Sequence, residues 1–134
     1  MLVYDRTPEL AADGRARVLR SLDRGVSGGN ITARERDQAS WRLTFTSDLT
    51  TFADRQLVIE AVVEDESVKT GLFAELDAIV TDPDAVLASS SSSIPILKLG
   101  MVTADPGRVI GMHFFHPVAV LPLVELVGTL LTTA

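Results

Sequence analysis

The sequence is 134 residues long, 46% of them apolar, which suffices for one domain with a buried core. It contains no cysteine, which excludes disulfides, thiolate nucleophiles and cysteine-based zinc sites, and its net charge of −6 argues against nucleic-acid or anionic-membrane partners. No apolar run approaches the roughly 20 residues of a membrane span and the N-terminus is not a signal peptide, so we expect a cytoplasmic protein.

The N-terminal part predicts a strand followed by two helices. MLVYD, residues 1–5, is an apolar run that ends in an acid, as is typical of a short buried strand. Thr7 supplies a hydroxyl cap and Pro8 the first position of a helix. That helix is predicted to end at SGGN, residues 27–30, where a glycine provides the left-handed turn. A capping box at residues 32–35 then starts a second helix that runs through about position 41.

The rest of the chain alternates between strands and helices. The clearest helix has an apolar stripe from Val68 to Val80 and is ended by TDPD, residues 81–84. A loop and a short helix follow within residues 90–100. This alternation predicts an α/β domain with a mostly parallel sheet. The strands predicted after the second helix are residues 43–46, 57–60 (apolar on both faces apart from its end), 85–89, 108–114 and 123–127.

Acids and serines gather where the predicted strands end. Asp5, Glu60 and Glu64 end or follow two strands, and a run of five serines, residues 89–93, ends another and continues beyond it. Parallel α/β sheets bind ligands at the carboxyl ends of their strands, so this edge suits a nucleotide. The chain nevertheless contains no GxGxxG, and its paired glycines lie between two helices. A random serine run would more often be a polar surface loop.

The only two histidines lie in HFFHPVAVLPLVE, residues 113–125, which closes on a carboxylate. The segment is open to three interpretations: a catalytic pair, a metal site or ordinary core. His113, His116 and Glu125 form an imaginable metal set, but histidines three apart on a strand face opposite ways, so we expect no metal. An imidazole backed by a carboxylate is suited to general base catalysis, whereas a histidine beside two phenylalanines is more often a satisfied core residue.

Three blocks of the sequence together resemble the 3-hydroxyacyl-CoA dehydrogenase family, close to its bacterial 3-hydroxybutyryl-CoA members. They are VIEAVVEDESVKTGLFAELD, the serine tract and GMHFFHPVAVLPLVELV, in family order and spacing. The resemblance covers essentially the whole chain. It implies an incomplete Rossmann-type, doubly wound NAD-binding domain over residues 1–134. The family's first strand, GxGxxG turn and following helix have no counterpart here, and neither does its C-terminal helical dimerisation domain.

The family resemblance also implies a chemistry. Family members are oxidoreductases of fatty acid metabolism and β-oxidation, which use NAD to oxidise the 3-hydroxyl of an acyl-CoA reversibly. Acetoacetyl-CoA and 3-hydroxybutyryl-CoA are the substrate class expected here. By this resemblance His113 is the general base, Glu125 orients it, and Ser92 hydrogen-bonds the substrate oxygen. The positions that match cofactor-binding residues of the family are Asp5, which would accept from the adenosine ribose, and Ala61, Glu64, Lys69 and Ser90.

The sequence departs from the family pattern at two of these sites. His116 stands where the family's HFFNP has an asparagine, and Ser90 replaces another asparagine, which contacts cofactor and substrate. Losing an amide's two-sided hydrogen bonding at a buried position costs about 1–3 kcal/mol. Glu64 and Lys69 are also typical of exposed charges at a helix start, so their functional role depends on the resemblance.

Two hypotheses follow for the activity of the chain. The first is a dehydrogenase acting on short-chain CoA thioesters. The second is a non-catalytic remnant or truncated fragment with no turnover of its own, because without the glycine turn no helix N-terminus faces the pyrophosphate. We expect little turnover by this chain alone. We also expect self-association through an unpaired apolar sheet edge.

Overall fold

The computed structural model of the protein describes residues 1–118 and 120–133. The chain forms two compact units, Met1–Thr51 and Phe52–Ala134. Both contain parallel strands and helices, which confirms the predicted α/β class with mostly parallel pairing. The strands form two separate sheets rather than the single sheet expected. Within the described residues, no helix has the length and apolarity needed to cross a membrane.

The first unit contains one pair of parallel strands and two helices. Its elements are β1 (Leu2–Tyr4), α1 (Pro8–Ser27), α2 (Ala33–Trp41) and β2 (Thr44–Thr46). The hydroxyl of Thr7 caps α1 by accepting from the backbone N–H of Leu10 at 3.3 Å. Beyond its end, Gly29 takes a positive φ of 72°, as the predicted turn requires. Thr32 and Glu35 form the predicted capping box of α2. β1 is half-buried rather than buried.

The second unit contains a four-stranded sheet in the order β3-β4-β5-β6. Its elements are β3 (Leu57–Glu60), α3 (Glu66–Ile79), β4 (Val86–Ser89), α4 (Ile96–Gly100), β5 (Val109–Phe114) and β6 (Val124–Val127). Short 3₁₀ turns span Leu49–Phe52, across the boundary of the two units, and Pro106–Arg108, before β5. The first three strands are parallel and β6 runs antiparallel to β5. Predicted and observed strand bounds differ by at most one residue.

The core of the second unit is formed by apolar side chains from α3, β4, α4 and β5. Phe73, Leu87, Leu99 and Val109 are fully buried, and each such burial stabilises a fold by roughly 1.5–3 kcal/mol. The predicted apolar stripe of α3 is wrong at its first member, because Val68 is 45% exposed. The stripe is therefore buried only beyond the first turn of the helix.

β3 buries only one of its faces. Leu57 and Ile59 are exposed, whereas Val58 and Glu60 are buried. Side chains alternate along a strand, so the acid at the end of β3 falls on the same face as Val58. The strand thereby brings a buried carboxylate to the carboxyl end of the sheet.

Candidate active site

A buried ion pair joins the end of β3 to α3. Lys69 Nζ lies 2.8 and 3.0 Å from the two carboxylate oxygens of Glu60. The same carboxylate accepts from the Ser89 hydroxyl at 2.6 Å and from the backbone N–H of Val62 at 2.6 Å. The side chains of Lys69 and Glu60 are 1% and 0% exposed. The interpretation of Lys69 as an exposed helix-start charge is therefore wrong: the lysine reaches inward, because a buried carboxylate needs a cationic partner.

Lys69 also contacts a second carboxylate. Its Nζ lies 3.1 Å from Glu64 Oε2. Glu64 Oε1 accepts from the hydroxyls of Ser91 and Ser93 and from the backbone N–H of Ser93. These hydrogen bonds, that of the Ser91 hydroxyl foremost, lower the pKa of Glu64 to about 2. Glu64 is therefore a carboxylate throughout the physiological pH range.

The five serines are split between the interior and the surface. Ser89 ends β4 and is buried, as is Ser91, whose backbone N–H donates to the Ser89 hydroxyl at 3.1 Å. Ser92 and Ser93 are exposed, and Ser90 is half-buried. The tract is therefore not a plain surface loop. Its internal members hydrogen-bond carboxylates, and the exposed hydroxyl of Ser92 lies on the same short segment.

His113 and Glu125 are neighbours across the β5–β6 pair. The antiparallel register places them opposite each other, with His113 Nδ1 at 3.0 Å from Glu125 Oε2. The other ring nitrogen, Nε2, contacts the backbone carbonyl of Ser91. Both nitrogens face acceptors, and only the protonated ring has two N–H donors. The Ser91 carbonyl first, and Glu125 second, therefore raise the pKa of His113 above its usual range.

These contacts form one continuous chain of charged and polar groups within the second unit. It runs from Glu60 through Lys69 and Glu64 to the Ser91 hydroxyl, and from the Ser91 carbonyl to His113 and on to Glu125. The imidazole is 27% exposed, so a ligand at the edge of the sheet can reach it. Chemically, the arrangement presents an imidazole that exchanges a proton and is stabilised in its charged form. The residues of this hydrogen-bonded network are Glu60, Lys69, Glu64, Ser91, His113 and Glu125.

Two residues of this hydrogen-bonded network were assigned no role from the sequence. Glu60 was placed among the acids that gather at the carboxyl ends of the strands, with no role of its own. Its alternation with Val58 was the available signal that the carboxylate would be buried and need a cation. Ser91 was passed over in favour of its neighbours Ser90 and Ser92. No signal in the sequence identifies Ser91, because its contact with His113 involves a backbone carbonyl.

Asp5, Ala61 and Ser90 are predicted site residues whose side chains are not among the groups of this network. Asp5 follows β1 in the first unit, and its Oδ1 accepts from the backbone N–H of Arg6 at 2.8 Å. Ala61 follows Glu60 directly and is exposed. Ser90 follows β4, and its backbone N–H donates to the Glu60 carbonyl at 2.9 Å. Ala61 and Ser90 therefore lie at the carboxyl ends of two neighbouring parallel strands.

His116 lies outside the strand that carries His113. β5 ends at Phe114, and His116 is exposed in the segment that follows. Within residues 1–118 and 120–133, no group of three or more histidine and acidic side chains could hold a metal ion.

The comparison with known protein families covers the whole chain. Residues 1–134 match the family model of the NAD binding domain of 3-hydroxyacyl-CoA dehydrogenase. The chain belongs to this family. This match agrees with the resemblance carried by the three sequence blocks, and it extends over both units.

Individual relatives within the 3-hydroxyacyl-CoA dehydrogenase family are similar in sequence and structure. A 3-hydroxybutyryl-CoA dehydrogenase of Mycobacterium tuberculosis is 62% identical over 130 residues, which are 97% of this chain and 46% of the relative. A crystal structure of FadB2 from M. tuberculosis matches with a TM-score of 0.96 and 61% identity, over 98% of this chain and 46% of that one. A crystal structure of 3-hydroxybutyryl-CoA dehydrogenase from Escherichia coli matches with a TM-score of 0.92 and 35% identity, over 99% of this chain and 28% of that one. The chain thus spans less than half the length of these relatives.

Proposed function

We propose that this chain carries the proton-transfer site of an NAD-dependent 3-hydroxyacyl-CoA dehydrogenase of the 3-hydroxybutyryl-CoA class. The observation that carries the proposal is the 3.0 Å contact between His113 Nδ1 and Glu125 Oε2. The matched family is named for 3-hydroxyacyl-CoA, and a relative 62% identical to this chain is named 3-hydroxybutyryl-CoA dehydrogenase. The imidazole and the carboxylate supply what proton transfer at a 3-hydroxyl requires.

The proposed mechanism assigns the proton to one atom of the imidazole. In oxidation, the substrate hydroxyl takes the place of the Ser91 carbonyl at Nε2 of His113 and gives its proton to that nitrogen. Glu125 keeps the proton on Nδ1 and stabilises the imidazolium that forms, as the carboxylate does in a catalytic triad. In reduction, the imidazolium returns the proton to the substrate carbonyl oxygen. The exposed hydroxyl of Ser92 hydrogen-bonds that oxygen in both directions.

The residues at the strand ends fit part of a nicotinamide dinucleotide. When bound, NAD accepts the hydride that leaves C3 of the substrate. Within the second unit, Ala61 and Ser90 have short side chains at the carboxyl ends of β3 and β4, where parallel sheets bind nucleotides. In the first unit, the Asp5 carboxylate offers two acceptor oxygens for ribose hydroxyls. Glu64 is a further matched cofactor position. Lys69 is also matched, but its ammonium contacts the carboxylates of Glu60 and Glu64.

Residues 1–134 contain no GxGxxG turn for the pyrophosphate, and this favours the second hypothesis for a polypeptide of these residues alone. A polypeptide of these residues binds NAD weakly and turns over little, because the main phosphate contact is not among them. A fluorescence titration of NADH into the purified chain tests this. Saturable micromolar binding contradicts weak binding, whereas no binding up to millimolar NADH supports the fragment hypothesis.

A chimera tests whether the His113 site supports turnover when the rest of the enzyme is supplied by a relative. In it, this chain replaces the matching segment of the M. tuberculosis relative, to which it is 62% identical. We expect the chimera to oxidise NADH with acetoacetyl-CoA at a rate within about tenfold of the relative. A folded chimera that binds NADH and has no turnover would contradict the proposed function and leave the remnant hypothesis.

A further inference from the structure

The ammonium group of Lys69 has no donor left for a ligand. It contacts both oxygens of Glu60 and one oxygen of Glu64, and an ammonium has three hydrogens to donate. Its side chain is 1% exposed. A cofactor or a CoA thioester could therefore contact this lysine only if one of the two carboxylates gave up its cation. The geometry favours a role that is exerted through other residues.

We infer that Lys69 is a positioning residue that holds the Ser91 carbonyl against His113 by way of Glu64. This inference rests on the proposed role of His113 in proton transfer. It assigns Lys69 to the geometry of the site before substrate binds, when the Ser91 carbonyl occupies the nitrogen that the substrate hydroxyl then takes over. It assigns no contact between Lys69 and a cofactor or substrate.

The first step of the argument is that Glu60 is a fixed anchor. Its carboxylate is fully buried and is held on three sides, by the Ser89 hydroxyl, the Val62 backbone N–H and Lys69. A buried, multiply bonded carboxylate has little freedom to move. The ammonium that is bound to it is fixed in turn.

The second step is that Glu64 needs this anchor to stay in place. Its side chain is 41% exposed, so it can turn toward water at a small cost in free energy. Its bonds to Ser91 and Ser93 all involve one carboxylate oxygen, Oε1. The Lys69 contact at the other carboxylate oxygen adds a side-chain link between that loop and the end of β3, where the Ser90 backbone N–H already donates to the Glu60 carbonyl.

The third step concerns the two oxygens of Ser91, which have different partners. The hydroxyl donates to Glu64, whereas the backbone carbonyl contacts His113 Nε2. We expect a displacement of Glu64 to shift this carbonyl, although the Ser91 N–H also donates to the Ser89 hydroxyl and the Ser91 hydroxyl also accepts from the Ile94 N–H. Glu125 and Glu64 are the charged groups that face His113, and Glu125 lies on β6, which this displacement does not involve.

The test is an NMR titration of the His113 imidazole in the full chain. The two histidine signals are assigned with His116→Gln, since the chain has only these two. In Lys69→Met we expect the pKa of His113 to fall by at least about half a unit, because the Ser91 carbonyl leaves Nε2. Removing a positive charge without moving the loop would raise that pKa instead, so the sign of the change distinguishes the two effects.

A double variant separates positioning from a purely structural role. Glu60→Gln with Lys69→Met removes both charges of the buried pair, so the fold has no unpaired buried carboxylate left. We expect this variant to fold and to keep the lowered pKa of His113. Lys98→Met is the matched control, because Lys98 pairs with Glu66 at the surface, and it should leave the titration unchanged.

Three results would overturn the inference: an unchanged pKa in the folded double variant, a raised pKa there, or failure of the double variant to fold. An unchanged or raised pKa would show that Lys69 does not hold the Ser91 carbonyl against His113, and failure to fold would make the buried pair structural only. The titration needs no turnover, so it can succeed even where the chimera has no activity, and the two proposals fail separately.

Discussion

His113 and Glu125 come together because antiparallel pairing of β5 with β6 sets them directly opposite each other, with Nδ1 at 3.0 Å from Oε2. Sheet register, rather than proximity along the chain, fixes this contact. A shift of one residue would turn one of the two side chains to the opposite face of the sheet. The strand register therefore fixes which carboxylate lies opposite the imidazole.

The raised pKa of His113 predicts a pH dependence of stability. A group whose pKa is higher in the folded than in the unfolded state contributes stability that is complete below the unfolded value, about 6.5 for histidine. This contribution is lost as the pH rises through the folded pKa. Urea unfolding between about pH 5.5 and 8.5 should show the decline, and His113→Gln should flatten it. An equally steep decline in that variant would assign the dependence to other groups.

The lowered pKa of Glu64 predicts that the stability of the fold also depends on pH at the acid end, where stability falls as the pH falls. Its pKa is about 2 in the folded protein, below the ordinary 4.5, so its contribution is complete above about 4.5. That contribution is lost as the pH falls toward 2. Glu64→Gln should therefore lessen the acid destabilisation measured by circular dichroism. The matched control is Glu66→Gln, since Glu66 forms an exposed pair with Lys98.

Glu125→Gln should lower the pKa of His113 toward the ordinary value, because the amide carries no charge to stabilise the imidazolium. In the chimera we expect kcat to fall by about 10²-fold or more, as when the carboxylate of a catalytic triad is replaced. Histidine NMR and steady-state kinetics measure the two effects. If the pKa fell and kcat did not change, Glu125 would raise the pKa of His113 without contributing to catalysis.

Breaking the buried ion pair should destabilise the fold strongly. Lys69→Met leaves the Glu60 carboxylate buried without its cation, and we expect a loss of about 3–5 kcal/mol in the free energy of unfolding. Lys98→Met removes an exposed ion pair, whose side chains are 54% and 51% exposed, and should cost about 0–1 kcal/mol. Urea denaturation of both variants provides the comparison. Equal losses would contradict the assignment of the pair to the interior.

The edge position of β3 predicts self-association. β3 is the outer strand of its four-stranded sheet, and Leu57 and Ile59 on it are 48% and 42% exposed. Exposed apolar edge strands pair with other chains. Light scattering should give a mass above the 14.4 kDa of one chain, and Ile59→Lys should reduce it. A monomer at high concentration would disprove this prediction.

The local elements of the fold could be predicted from the sequence because local chemistry sets them. The Thr7 cap, the Gly29 turn and the capping box that begins at Thr32 each act within a few residues, and each was found where predicted. The pairing of His113 with Glu125 was implied only by the family resemblance. No local rule sets the register of the two strands that carry them.

The tertiary environment of the charges could not be predicted in the same way. Lys69 lies at the start of a helix, where a lysine is ordinarily solvated, and only the burial of Glu60 turns it inward. The division of the strands into two sheets was likewise missed, because alternating strands and helices predict parallel pairing without stating which strands are neighbours. Both outcomes depend on contacts between distant residues.

The central claim is that His113 transfers the proton, and kcat of the chimera for acetoacetyl-CoA reduction tests it most directly. His113→Ala should lower kcat by about 10²–10⁴-fold, the usual contribution of general acid–base catalysis. His116→Ala, which removes the exposed second histidine, should change kcat by no more than about threefold. If the chimera with His113→Ala kept its rate, or if His116→Ala lost as much, the assignment of the proton to His113 would be wrong.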